Sequence, residues 1–190
     1  MKNRILLMPV LSFLLAAGFC EARIMSLVNI NKGGMLSDID TECSVNLTEE
    51  NLGEGAKLSL KLEFSGPAFA GEWAPKKNNW AGWKYFKFDA FNPLARELTM
   101  SLVIRDETCS GYNRNLEDRK NWPILPFVLK PGMNKVELTL EGLKNIEGKP
   151  AGLTKITHWF FAYRLFPCYA WEEKGADKVD INISNLRLED

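Results

Sequence analysis

The sequence predicts an all-β protein, an antiparallel β-sandwich of seven or eight short strands in a single domain. Three observations carry that prediction. Apolar and polar side chains alternate with a period of two in segment after segment, the pattern of strands buried on one face. No window sustains the 3.6-residue period of an amphipathic helix. Turn signals such as Asn92-Pro93 and Pro131-Gly132 punctuate the alternating segments. At 190 residues and 46% hydrophobic, the chain can bury one sizeable core and has no room for two comfortable ones.

Before the first strand comes a leader. Lys2 and Arg4 precede an apolar run from Ile5 to Phe19, and Cys20-Glu21-Ala22 closes it, so residues 1–22 read as a secretory signal peptide. The run falls short of the ~20 residues that span a bilayer and contains Pro9 and Gly18. Phe19 suits a lipid-modified Cys20 badly. A mature chain starting at Arg23 is therefore expected, secreted or periplasmic, with 23–35 as an amino-terminal segment and 36–190 as the sandwich.

Cys43, Val45 and Leu47 make a weak first strand. Leu58, Leu60, Leu62 and Phe64 then alternate with Lys57, Ser59, Lys61 and Glu63, a half-buried strand. Phe86, Phe88 and Ala90 do the same before Asn92-Pro93, and Leu98, Met100, Leu102 and Ile104 after it, which reads as an antiparallel pair. Val136, Leu138 and Leu140 follow Pro131-Gly132; Glu141 to Lys144 makes at most one helical turn. Ile156 to Tyr163 is apolar on nearly both faces and should be central. In the last strand Val179, Ile181 and Ile183 change phase to Leu186 and Leu188, so a β-bulge is expected near Ser184-Asn185. Three loops remain, 65–84, 106–126 and 165–178.

Composition excludes several functions. Lys plus Arg and Asp plus Glu both number 24, so no net field attracts nucleic acid or anionic lipid, and neither is an expected partner. His158 is the one histidine, which rules out multi-histidine metal sites. In its apolar strand it reads as a hydrogen-bonded core residue. Gly-x-Ser-x-Gly, His-Glu-x-x-His and phosphate-binding Gly loops are all lacking, and no enzyme activity is expected. Asn46-Leu47-Thr48 and Asn182-Ile183-Ser184 match glycosylation acceptors, read as chance matches. Among Cys43, Cys109 and Cys168 one pair is expected to bridge; spacing alone does not choose it. Cys109 to Cys168 is the pairing expected, because each stands near the start of a long loop.

Gly55 to Phe64, followed by Trp80-Ala81-Gly82-Trp83 and on to Asn92-Pro93, resembles the opening of galactose-binding-like β-sandwich modules. Ser101 to Asp106, Tyr112-Asn113-Arg114, Leu129 to Val136 and Ile183 to Glu189 fall in the same family's order. The similarity covers about residues 36–190, and within that family the chain resembles in particular the family 11 carbohydrate-binding modules of bacterial β-glucan hydrolases. It implies a jelly roll that binds a polysaccharide or oligosaccharide without chemistry. Relatives often carry an Asp where Ser184 stands, helping to hold a structural calcium; Asp38, Asp40 and Glu42 are the alternative oxygen ligands here.

A sugar ring offers a weakly apolar C–H face and a rim of hydroxyls, so its site needs an aromatic plane beside amides, carboxylates or guanidinium groups. Loop candidates are Trp73, Tyr112 with Arg114, Trp122 and Trp171. Trp122 and Trp171 are expected to be exposed, whereas Trp80 and Trp83 should pack. Tyr85 and Asp89 beside Arg105 would add a polar sheet face. The rival reading is a structural or protein-interaction module with its aromatics buried; a small extracellular carbohydrate-active enzyme is a third.

Overall fold

The computed structural model describes residues 22–109, 121–164 and 178–190. Among the described residues eleven strands run in the order β1 (Ile24–Ser26), β2 (Asp38–Ile39), β3 (Cys43–Thr48), β4 (Ser59–Phe64), β5 (Ala68–Trp73), β6 (Tyr85–Asn92), β7 (Leu98–Asp106), β8 (Ile124–Leu129), β9 (Gly132–Thr139), β10 (Ile156–Tyr163) and β11 (Val179–Glu189). They form two antiparallel sheets. Sheet A has the order β3-β4-β11-β6-β9, with β1 also on β11; sheet B has the order β2-β5-β10-β7-β8. The expected sandwich is the observed one.

Alternation places the core where the sequence put it. Leu60, Leu62, Phe64, Phe86, Phe88, Ile181, Ile183, Leu186 and Leu188 of sheet A meet Met100, Leu102, Ile104, Trp159, Phe161 and Tyr163 of sheet B in one buried cluster. Rings bridge the sheets: Phe88 lies edge-on to Phe161 at 5.0 Å and Phe64 sits 5.5 Å from Tyr163. Trp80, fully buried, donates its Nε1–H to Lys77 O at 2.8 Å and stacks obliquely on Phe86 and Trp159. As expected, β10 is the middle strand of its sheet. The register of β11 against β6 shifts between Ser184 and Arg187, with Asn185 at φ 53°, which is the expected bulge.

The eleven strands exceed the seven or eight expected, and two expectations about their layout also fail. β6 and β7 do not pair: β6 lies in sheet A and β7 in sheet B. The Asn92-Pro93 signal marks a corner between sheets, where the buried Asn92 side chain donates to Arg96 O and Leu129 O and accepts from Leu94 N–H. Alternating strands that bury their apolar faces against each other look the same as two strands lying side by side. Secondly, residues 65–84 are not all loop, since they contain β5. Its Ala68-Phe69-Ala70-Gly71 stretch is too poor in large side chains to show a period.

The segment 23–35 belongs to the sandwich. β1 pairs with Arg187–Glu189, and Val28 and Ile30 are buried in the core. The leader's residues 1–21 lie outside the described residues, among which no helix is long and apolar enough to cross a membrane.

Candidate functional site

The outer face of sheet B brings an exposed tryptophan beside charged and polar side chains. Antiparallel register sets Trp73 of β5, His158 of β10 and Arg105 of β7 side by side in one row. Period two then places Phe69 and Phe160 on the same face, further along their strands. Gly71, between Phe69 and Trp73, is where Phe160 fits: a Cβ there would come within 2.4 Å of the Phe160 Cβ.

Trp73 is 43% exposed. Its ring lies edge-on to the His158 imidazole at 5.2 Å, and the Arg105 guanidinium is 5.9 Å from its centre. Phe69 packs at 5.1 Å from Phe160. Arg105 itself is buried against the face of Trp122, at 4.5 Å, and donates from Nη2 to Cys109 O. Cation–π geometry of this kind helps to hold a guanidinium in place.

Asp38, from β2 at the sheet edge, brings its Oδ2 to 2.8 Å from His158 Nε2. Neither ring nitrogen nor that oxygen makes a hydrogen bond among the described residues. Burial, and then the Arg105 charge, push His158 down from 6.5 to about 3, so the ring is neutral and the contact is no ion pair. Burial and the Asp40 charge raise the Asp38 carboxyl above 3.8, against the pull of Arg105.

Several predicted residues fall elsewhere. Trp122 is not an exposed loop aromatic: it is only 7% exposed and lies edge-on to Phe160 in a satellite cluster with Val103, Cys109 and Ile124. It stands two residues before β8, and its ring is buried by its neighbours in that cluster. Tyr85 and Asp89 are on the outer face of sheet A, on the far side of the sandwich from Arg105 and Ser101, so no shared polar face exists. Tyr85 there lies 4.9 Å from Lys87 Nζ. Tyr112, Arg114 and Trp171 lie outside the described residues.

The carboxylates of Asp38, Asp40 and Glu42, the expected calcium ligands, serve different partners. Asp38 faces His158, Asp40 Oδ1 accepts from Thr41 Oγ1 and from the Glu42 N–H, and Glu42 Oε2 accepts from Ser65 Oγ. Among the described residues no group of three His, Cys, Asp or Glu side chains could hold a metal ion. At Ser184 the hydroxyl accepts the Gly53 N–H at 3.0 Å, so the loop packs onto the strand.

Cys109 is a buried free thiol, with its S–H directed to Asp106 Oδ1 and Asn121 O, and burial pushes it up to about 11. Its expected partner Cys168 lies outside the described residues. Cys43 is a half-buried free thiol on β3. Of the glycosylation matches, Asn182 is buried and donates to Ser59 Oγ, which closes it to modification. Asp106 is committed structurally: burial alone would raise its carboxyl, but hydrogen bonds from the Thr108 hydroxyl and amide and from the Gly152 amide hold it below 3.8.

Sequence reasoning named Trp73 and Arg105 but did not place Phe69 or His158 on the same face as them. The period of two could have put His158 on the face of Arg105 only if the pairing of β7 with β10 were known.

Comparison with known proteins supports the fold. An exo-β-agarase is 12% identical with a TM-score of 0.56, the match covering 86% of this chain and 25% of that one. The carbohydrate-binding module CtCBM11 is 10% identical with a TM-score of 0.52, over 91% of this chain and 90% of that one. The agarase AgWH50C is 15% identical with a TM-score of 0.50, over 80% of this chain and 23% of that one. The chain thus spans about a quarter of each agarase and nearly all of the binding module. It has the antiparallel β-sandwich fold of carbohydrate-binding modules. No family model and no curated protein matches the chain.

Proposed function

We propose that this chain is a secreted, non-catalytic module that binds a polysaccharide on the outer face of sheet B. The exposed Trp73 ring beside Arg105, Asp38 and His158 carries the proposal. It offers an apolar plane to a sugar's C–H face, with donors and acceptors at its margin for the hydroxyls. The match to CtCBM11 over nearly its whole length supports a role in binding rather than chemistry.

Affinity electrophoresis of the mature chain in gels of β-glucan, agarose or mannan tests the proposal. Retardation is expected in at least one gel. Trp73→Ala should abolish it while leaving thermal unfolding nearly unchanged, whereas Trp122→Ala should cost about 3–5 kcal/mol of stability. Free migration in every gel, or retardation that survives Trp73→Ala, sinks the reading. The burial of Trp122 favours a second reading, a protein-interaction module, under which no glycan retards the chain.

A further inference from the structure

The opposite sheet holds an unrelated cavity of about 490 Å³, between the amino-terminal segment and the bulge of β11. Its apolar wall is aliphatic: Ile24, 63% exposed, with Val28, Ile30 and Leu186 behind it. Its polar wall carries two carboxylates, Asp89 and Glu54, and two cations, Lys135 and Arg187, together with the amides of Asn29, Asn31 and Asn185.

The charges cancel within the cavity. Lys135 Nζ pairs with Glu54 Oε2 at 2.7 Å, and the buried Asp89 accepts from Asn185 Nδ2 at 2.6 Å. Arg187 donates from Nε to Glu189 and from Nη1 to Asn185 O. A site with balanced charge has no field to select a phosphate or a bare cation. Hydrogen-bonding capacity nevertheless remains. Asn29 makes no side-chain cap bond, and Asn31, which lines the cavity, accepts at its Oδ1 from the amides of Lys57 and Leu58 and carries an NH₂ group besides.

Aliphatic contact on one wall and mixed donors and acceptors on the other match a small neutral polyhydroxyl ring. We infer that this cavity is a second binding site, for a single neutral sugar residue, separate from the Trp73 face. The volume lies in the ~300–1,000 Å³ range of small-molecule sites. Without an aromatic plane, recognition there rests on hydrogen bonds and aliphatic contact.

Amide chemical shifts of the labelled mature chain, titrated with glucose, galactose and mannose, test the inference. Saturable shifts are expected at Asn29, Asn31, Gly53, Glu54, Asn185 and Arg187 with at least one sugar. They should persist in Trp73→Ala, which separates this site from the polysaccharide face. Asn29→Ala combined with Lys135→Met, both at exposed positions, should weaken them about tenfold, the loss of roughly one good hydrogen bond. Absence of saturable shifts in this region for all three sugars overturns the inference and leaves the Trp73 reading standing. So does a calcium chloride titration that moves these amides where the sugars do not, since that marks a cation site.

Discussion

His158 shows how one residue couples the candidate site to the stability of the fold. The native ring stays neutral down to about pH 3 because it is buried beside Arg105, whereas an unfolded chain protonates it near 6.5. Between those values the unfolded state binds the extra proton. Stability is therefore complete above 6.5 and falls with acidification, on the order of 1 kcal/mol per pH unit. Asp38, raised above 3.8, works in the opposite sense at the acid end, because there the native state takes up its proton first. Urea midpoints measured between about pH 7 and 5 should fall with pH in the native chain and fall less in His158→Gln. Equal slopes in the two proteins would show that His158 is not held neutral.

At the scale of elements, β5 decides most about the site and announces itself least. Ala68, Ala70 and Gly71 give no alternation of large side chains, yet the strand delivers Trp73 to the row it shares with His158 and Arg105. Gly71 is required there by close approach: a Cβ would lie 2.0 Å from Trp159 O and 2.4 Å from Phe160 Cβ, both fixed in the central strand. Gly71→Ala is expected to destabilise by about 3 kcal/mol or more, lowering the melting temperature by roughly 10 °C. A calorimetric shift of only a degree would mean that β5 can move away from β10. The bulge in β11 was legible because it reverses an alternation carried by large side chains. Nothing comparable marks a strand made of alanine and glycine.

For the whole molecule, the amino-terminal segment is structural. β1 completes the pairing of β11 next to β4, and Val28 and Ile30 enter the common core. A mature chain beginning at Lys32 should lose about 3–6 kcal/mol, taking ~1.5–3 kcal/mol for each of those two buried side chains. Urea unfolding of the shortened chain measures it, and an unchanged midpoint would contradict the assignment. By itself the sequence determined that the chain is a β-sandwich, which side chains face its core, where β11 bulges, and that β10 is central. These are local properties, set by the two-residue period of a strand and by the turn chemistry of Asn92-Pro93 and Pro131-Gly132. Only the tertiary structure decided that β7 leaves β6 for the other sheet, that Trp122 is buried, and that Trp73, His158 and Arg105 stand in one row. Cross-strand partnership joins residues far apart in sequence, and alternation is the same whether a strand's neighbour lies beside it or across the core.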